Sequence, residues 1–348
     1  MQNRYSLVFL IVFLGQLLAQ AFPFGQTLSS QFDSFPAHDR MISFVTEFRL
    51  WMGDRVYHDV LLGPDGWLVF ATNRGMDKFQ NIRPLAASEL DAYAESLLAF
   101  QSLIEADGAR LLLVTAPYKN TIYPEYIPAE IQQIGSTSQL DQILDRLAQE
   151  PSIRVLDLRP AMLQARHDAQ IYYSTDSHWN DLGGLAAYQA VLEALKSDFP
   201  ELSPHAISDF KITFQEPKIL DLSYIIGSTS LVEERVQLQP LFKQTAQSES
   251  MVLPSGRHIT FARNKKTDLP TALFFHDSFL YSVMPFLSEH FSRTYYVDIL
   301  AGNDMLPNAW VEQVQPDVVV IVLNEHFLDL LPEFLATGRP DFEDESLR

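Results

Sequence analysis

The chain of 348 residues carries 44 acidic and 25 basic side chains, which gives a formal net charge of −19 at pH 7. This balance argues against nucleic-acid binding, because neutralising phosphates requires a basic face. The chain has no cysteine, which excludes disulfides, thiolate metal ligands and a cysteine nucleophile. A hydrophobic content of 47% is ample for a packed core, so one large or two smaller globular domains are expected.

The first residues have the pattern of an export signal. Arg4 precedes an apolar run from Tyr5 to Leu14, and Ala19-Gln20-Ala21 has the small-x-small form that signal peptidase cleaves. We therefore expect residues 1–21 to be a signal peptide or an uncleaved signal anchor, and the protein to be periplasmic or otherwise extracytoplasmic. Residues 22–38, rich in Phe, Pro, Ser and Gln, are expected to be a linker.

Helical spacing of apolar residues then alternates with short apolar runs. A helix from Asp39 to Met52 is followed by a predicted hairpin with its turn at Gly63-Pro64-Asp65-Gly66. The pattern next predicts a helix capped by Ser88 and running to about Ala106, a buried strand from Arg110 to Thr115, a helix from Leu140 to Leu147 and a strand from Arg154 to Leu158.

The same alternation returns after residue 270. It predicts strands at Thr271–Phe275, Thr294–Ile299 and Asp317–Leu323, and a helix from Phe279 to Phe291. Strands that alternate with helices favour an α/β fold on a mainly parallel sheet flanked by helices. Between about residues 197 and 266 the pattern weakens, and we interpret this segment as an irregular insertion that shapes the substrate cleft. The single domain is then expected to span residues 39–340, with a tail at 341–348.

Two short motifs at the ends of apolar segments carry the chemistry. Asp176-Ser177-His178-Trp179 precedes a helix predicted to begin near Leu182, and Asp277-Ser278-Phe279 follows the strand that starts at Thr271. A serine nucleophile needs a base within hydrogen-bond reach, and the base needs an orienting partner; His178 and Asp176 fill these roles for Ser278. Each motif alone is more typical of a helix N-cap or a surface loop. Their conjunction at the ends of apolar segments, where open α/β sheets place their sites, favours a catalytic triad.

Several further side chains are candidates for the same site. Lys119 and Asn120 follow a predicted strand, where a donor can bind an oxyanion or a sugar hydroxyl, although an ordinary solvent-exposed loop explains them equally well. Trp179 is expected to wall the site, and Tyr281 to stack on a sugar face unless it belongs to the core. The sequence has no phosphate-binding glycine loop and no metal-ligand spacing, so neither a cofactor nor a metal is expected.

Four segments resemble a known family: YYSTDSHWNDLGGLAAY from Tyr172, HDSFLYSVMPFLSEHFSR from His276, LGPDGWL from Leu62 and APYKN from Ala116. They are similar to the SGNH-hydrolase-like domain of alginate O-acetyltransferases of the AlgJ/AlgX type. The resemblance implies a flavodoxin-like fold and a triad of Asp176, His178 and Ser278. His276 stands where SGNH enzymes often carry glycine.

The resemblance also implies the function. We expect an exported O-acetyltransferase that transfers acetyl groups to hydroxyls of an exopolysaccharide through a serine acyl-enzyme. By the same resemblance, the acetyl donor is supplied by a membrane-bound acyltransferase of the MBOAT type. The net charge favours a neutral glycan, or an acidic one met by a local basic patch. The alternatives are a carbohydrate acetylesterase with the same triad and a non-catalytic glycan-binding component of an exopolysaccharide assembly.

Overall fold

The computed structural model describes residues 38–252, 258–300 and 305–338. The predicted signal segment, nearly all of the predicted linker and the predicted tail lie outside these ranges. The chain divides into two compact units, residues 1–54 and 55–348. In the first unit the structure describes helix α1 (His38–Met52), as the apolar spacing predicts. Across the described ranges, no helix combines the length and the apolar character that a bilayer-spanning helix needs.

The second unit begins with a small antiparallel sheet. Its strands are β1 (Val56–Tyr57), β2 (Val60–Leu62) and β3 (Leu68–Phe70). Leu62 pairs with Leu68 across a turn that contains one 3-10 segment, Pro64–Gly66. Asp65 and Gly66 both have positive φ, which glycine adopts without strain and aspartate tolerates. The predicted hairpin is therefore confirmed.

Nine further strands follow in the described chain. They are β4 (Arg110–Ala116), β5 (Val155–Asp157), β6 (Phe210–Lys218), β7 (Glu233–Pro240), β8 (Ala246–Val252), β9 (His258–Asn264), β10 (Thr271–His276), β11 (Arg293–Asp298) and β12 (Val318–Asn324). Seven of them form the central sheet in the order β5-β4-β12-β10-β11-β9-β8. The first five are parallel to one another, and β9 and β8 extend the edge in antiparallel fashion. The mainly parallel α/β sheet is as predicted.

Ten helices accompany these strands in the described part of the second unit. They are α2 (Asn73–Phe79), α3 (Ala87–Ala106), α4 (Lys119–Ile122), α5 (Gln139–Leu147), α6 (Arg159–Ala165), α7 (Asp181–Leu195), α8 (Asp221–Ile225), α9 (Met284–Leu287), α10 (Pro307–Val314) and α11 (Leu331–Thr337). Helices α3 and α5 thus end at Ala106 and Leu147, as the spacing of apolar residues predicts.

Two hydrophobic clusters cover the two faces of the sheet. In β12, Val318, Val320 and Val322 belong to one cluster, and Val319 and Ile321 to the other. This central strand is buried along its whole length, so it is a continuous apolar run and not an alternating one. Each such side chain contributes roughly 1.5–3 kcal/mol of burial free energy. The rigid sheet fixes the carboxyl ends of β4, β10 and β12 side by side.

Three local expectations were wrong. Residues 197–266 contain four strands, two in the central sheet (β8 and β9) and two in a separate antiparallel pair (β6 and β7), and are therefore less irregular than expected. The helix expected from Phe279 to Phe291 is broken into short 3-10 and α pieces, because Pro285 lacks a donor and its ring obstructs the preceding turn. Ser88 lies inside α3, whose N-cap position is Ala86.

Candidate active site

Ser278 stands at the carboxyl end of the central strand β10. The strand ends at His276, and the next residue, Asp277, is fully buried. Its Oδ1 accepts the backbone N–H of Phe279 at 3.0 Å and its Oδ2 accepts that of Asn324 at 2.5 Å. Burial raises the pKa of Asp277 to about 6, although both N–H groups oppose the rise. Asp277 thus ties the serine turn to the end of β12.

His178 lies on a short loop that is closed at its base. Tyr172 and Trp179 form an antiparallel bridge, and the backbone N–H of Asn180 donates to the carbonyl of Ile171 at 2.9 Å. The Asn180 side chain then caps α7 by accepting two backbone N–H groups. A Cβ at Gly183 would clash with the Ile171 carbonyl, so glycine lets the helix approach the loop. We call residues 173–178 the histidine loop.

Lys119 holds the histidine loop from the interior. Its ammonium donates to the carbonyls of Tyr173, Ser174 and Asp176 at 3.2, 3.2 and 2.7 Å. The side chain is 1% exposed, and burial lowers its pKa to about 8 against the opposing charges of Asp221 and Asp176. Lys119 does not line the Ser278 cleft, contrary to the expectation that it binds an oxyanion or a sugar hydroxyl. Its donors are committed to the backbone.

Glu233 holds the same loop by accepting hydrogen bonds from the loop's N–H and hydroxyl groups. The two carboxylate oxygens accept the backbone N–H groups of Ser174 and Thr175 at 3.0 and 2.9 Å, and both hydroxyls at 2.9 Å. Glu233 begins strand β7 in the segment interpreted from sequence as an insertion. The loop is therefore fixed on its carbonyl side by a lysine and on its N–H side by a glutamate.

The three predicted triad side chains come together. His178 Nε2 lies 2.8 Å from Ser278 Oγ, and His178 Nδ1 lies 2.8 Å from Asp176 Oδ1. The same Asp176 oxygen accepts the backbone N–H of His178 at 2.9 Å, which fixes the carboxylate under the ring. Residues 100 positions apart in sequence thus form one hydrogen-bonded chain from carboxylate through imidazole to hydroxyl. This order is the one in which a serine nucleophile is activated.

Electrostatics favour the ion pair between the imidazole and the carboxylate. Burial lowers the pKa of His178. The hydrogen bonds that His178 makes to Asp176 and Asp221, and the negative charges of these residues, outweigh the effect of burial and raise the pKa to about 10. Burial raises the pKa of Asp176, whereas the hydrogen bonds from His178 lower it below its usual value. The imidazolium that forms when a serine proton is taken up is therefore strongly stabilised here.

A cleft of about 700 Å³ opens over Ser278 and His178. Two of the predicted wall residues line it. Trp179 is buried, and its indole N–H donates to Ser282 Oγ at 3.1 Å; Tyr281 is half-exposed, and its hydroxyl donates to Asp298 at 2.6 Å. Residues from the 197–266 segment complete the lining: Ile219, Leu220, Asp221, Tyr224 and Arg235.

The donors available to an oxyanion are limited. The backbone N–H of Ser278 has no acceptor among the described residues, whereas that of Phe279 is taken by Asp277. Asn120 was expected as a second donor, but it lines another cavity, of about 160 Å³, together with Tyr118 and Glu325. Its buried amide has no hydrogen-bond partner in the described chain. In this geometry Asn120 does not reach into the Ser278 cleft.

One cluster has ligand-type atoms close enough for a metal. Asp176, His178 and Asp221 are the one such group of three in the described ranges, with the atoms within 4.8 Å of one another. Both ring nitrogens of His178 are already hydrogen bonded, to Asp176 and to Ser278. Contacts within the protein thus already occupy the two imidazole nitrogens that an ion would use.

Sequence reasoning missed the polar and aromatic residues that the 197–266 segment contributes to this site. Asp221, Tyr224, Glu233 and Arg235 all come from the segment with weak periodicity. No local motif marks them, because they join the site only where the folded segment meets residues that are distant in sequence.

Comparison with known proteins points to one family. Residues 60–265 match the family described as "SGNH hydrolase-like domain, acetyltransferase AlgX". A probable alginate O-acetylase AlgJ of Pseudomonas putida is 27% identical over 139 residues, which are 39% of this chain and 34% of the relative. The AlgJ of Pseudomonas syringae pv. tomato is 27% identical over 141 residues, 40% of this chain and 34% of the relative. The match thus spans about a third of these relatives' length.

Solved structures share the fold. Bacillus cereus PatB1 superposes with a TM-score of 0.60 at 13% identity, over 77% of this chain and 96% of that one. A DHHW family protein from Eubacterium siraeum has a TM-score of 0.59 at 16% identity, over 83% and 98% of the two chains. The O-acetyltransferase domain of Pseudomonas putida AlgJ has a TM-score of 0.51 at 19% identity, over 81% and 100%.

Proposed function

The chain belongs to the family of SGNH hydrolase-like acetyltransferase domains of the AlgX type, and from this membership we propose that it acetylates hydroxyl groups of an exopolysaccharide. The observation that carries the proposal is the contact of His178 with both Ser278 Oγ and Asp176 Oδ1 at 2.8 Å. A serine that only caps a helix needs no base, and a histidine outside an active site needs no partly buried carboxylate at its second ring nitrogen.

The proposed mechanism is double displacement. His178 takes the hydroxyl proton as Ser278 Oγ attacks the carbonyl carbon of the acetyl donor. The tetrahedral intermediate places its negative oxygen at the Ser278 backbone N–H, then expels the donor's leaving group, which receives the proton from His178. The acetyl group is now an ester of Ser278. His178 next removes a proton from a glycan hydroxyl, whose oxygen attacks the ester, and the proton returns to Ser278 Oγ. Asp176 holds the imidazole throughout.

The cleft is suited to a sugar acceptor. Tyr224 is 79% exposed and Tyr281 51% exposed, so each offers an aromatic face to a pyranose ring. In the described part of the chain, three carboxylates line the cleft, those of Asp176, Asp181 and Asp221, together with the single guanidinium of Arg235. Together with the net charge of −19, this balance favours a neutral glycan over a polyuronate.

The remaining features of the proposal are the compartment and the donor. The charged start and apolar run of residues 1–21 support an extracytoplasmic site of action. An acetyl donor used there has to be delivered across the membrane, and a membrane-bound acyltransferase of the MBOAT type is the proposed partner. Water instead of a glycan hydroxyl at the second step would make the same site an acetylesterase.

The test follows acetyl groups from an activated acetyl ester. Ser278→Ala is expected to lower turnover by at least about 10³-fold, because the nucleophile is gone. The matched control is Ser96→Ala, at a partly exposed serine of α3 whose hydroxyl donates to the Ala92 carbonyl. Intact-protein mass spectrometry should detect one acetyl group on the wild type and none on Ser278→Ala. EDTA should leave the rate unchanged.

The acetylated product distinguishes an acetyltransferase from an acetylesterase. Acetyl groups on added oligosaccharide indicate transfer, and free acetate alone indicates an esterase. A wild type that takes up no acetyl group from any donor, yet binds glycan equally well as Ser278→Ala, would show a non-catalytic glycan-binding component and refute the catalytic proposal.

A further inference from the structure

A second carboxylate reaches the same side of the catalytic imidazole. Asp221 Oδ2 lies 3.5 Å from His178 Nδ1, the ring nitrogen that also faces Asp176. Asp221 Oδ1 accepts the backbone N–H of Ser177 at 2.8 Å, and Asp221 Oδ2 accepts the Ser177 hydroxyl. Ser177 Oγ in turn lies 3.2 Å from His178 Nδ1. Asp221 is therefore connected to the imidazole both directly and through one hydroxyl.

The position of Asp221 is determined by local structure. It is the first residue of α8, and its Oδ1 also accepts the backbone N–H of Leu222 at 2.5 Å. The helix is docked on the histidine loop by the N–H of Ser223, which donates to the Thr175 carbonyl at 3.4 Å. The carboxylate is thus held at the imidazole by its own helix, 43 positions after His178 in the sequence.

We propose that Asp221 is a positioning residue of the proposed acetyl transfer: with Ser177 it holds the His178 ring towards Ser278 and adds a second negative charge beside the imidazolium. The inference rests on the proposed function. It predicts that two carboxylates, and not one as in a simple triad, orient the His178 ring and stabilise its protonated form.

Other charged groups also face His178. Asp176 is on its own loop, Asp277 lies beneath the serine turn and interacts with it electrostatically, and Lys119 lies behind the loop, at the carbonyl of Asp176. The hydrogen bonds that fix Asp176 and Lys119 do not use the Asp221 carboxylate: Asp176 accepts the backbone N–H groups of His178 and Asp221, and Lys119 donates to loop carbonyls. Removing the Asp221 charge therefore leaves these neighbours in place.

The test compares Asp221→Asn, Asp221→Glu and Ser177→Ala with the wild type. The pH profile of kcat/KM for an activated acetyl ester should shift to lower pH by about one unit or more in Asp221→Asn, because an opposite charge at this distance stabilises the imidazolium. Asp221→Glu keeps the negative charge, so its pH profile should lie close to that of the wild type. Ser177→Ala should shift the profile in the same direction but less. Asp145→Asn, at an exposed position of α5, is the control.

NMR titration of the His178 ring provides a readout that needs no turnover. The same downward shift in Asp221→Asn is expected there, with recovery in Asp221→Glu. An active wild type whose profile and ring titration are both unchanged in Asp221→Asn overturns the inference and leaves the proposed function intact. An inactive wild type refutes the proposed function, while the ring titration still decides the role of Asp221. If Asp221→Asn does not fold, an unshifted ring titration in folded Ser177→Ala overturns the inference.

Discussion

Replacing Lys119 by methionine should loosen the histidine loop. Methionine has a similar length but no donor, so Lys119→Met removes all three hydrogen bonds to the loop carbonyls. The carbonyl of Ser174 keeps the backbone N–H of Leu68 at 2.8 Å. Those of Tyr173 and Asp176 lose their partner, and each buried carbonyl without a partner costs about 1–3 kcal/mol.

The magnitude follows from two opposing effects. Two such carbonyls would cost about 2–6 kcal/mol. The wild type, however, bears the cost of burying an ammonium, which is why the pKa of Lys119 falls from 10.5 to about 8, and the variant does not bear it. We therefore expect the lower end, a loss of about 2 kcal/mol in the free energy of unfolding at pH 7.

The pH dependence has a defined sign. Between pH 8 and 10.5 the unfolded chain keeps the Lys119 proton and the folded chain releases it, so the stability of the wild type rises with pH. The difference between wild type and Lys119→Met should therefore grow across this window and be constant below it. Urea unfolding at several pH values measures both effects.

The control is Lys211→Met, at an exposed position of β6, which should change stability by less than about 0.5 kcal/mol. Esterase activity should also fall in Lys119→Met, since the loop carries the base. A variant as stable as the wild type, with a difference that does not vary with pH, would refute the assignment of Lys119 to the loop carbonyls.

Two further outcomes are expected. Tyr224→Ala should raise KM for an oligosaccharide acceptor roughly threefold to tenfold through loss of an aromatic face, with little change in turnover of a small ester. Phe214 is also exposed but lies outside the cleft lining, so Phe214→Ala should leave this KM unchanged. Equal effects in both variants would contradict the acceptor assignment. Because the pKa of His178 is raised, kcat/KM should increase from neutral pH towards pH 10, and a profile that is flat above pH 7 would show that the neutral imidazole is not the limiting form.

The convergence of Asp176, His178 and Ser278 could be predicted because both motifs border strong signals. Ser278 follows an apolar run that forms the buried strand β10, and Asn180 caps a helix directly after the histidine. Parallel strands bring such ends to one edge, so two local patterns were enough to place three side chains together.

The support of the site could not be predicted in the same way. Lysine is rarely buried, so the sequence predicted that Lys119 lies in solvent or binds an oxyanion. Only the folded structure shows that three loop carbonyls take the place of the water that would hydrate its ammonium group. Strand β6 alternates apolar and polar residues only from Phe210 to Phe214, and the polar residues and Pro217 that follow weakened the strand signal of the 197–266 segment. Asp221 and Glu233 act across more than 40 intervening residues, and spacing along the chain contains no trace of such contacts.

Lys119 and Glu233 grip the histidine loop mainly by its backbone. The lysine binds carbonyls, and the glutamate binds two N–H groups besides the hydroxyls of Ser174 and Thr175. Nearly all amino acids have the same main-chain donor and acceptor. Replacing Ser174 or Thr175 would therefore remove only the hydrogen bond from its hydroxyl to Glu233. Distant homologues are therefore expected to vary at positions 174 and 175 and still keep the imidazole in place, provided that the charges of Lys119 and Glu233 persist.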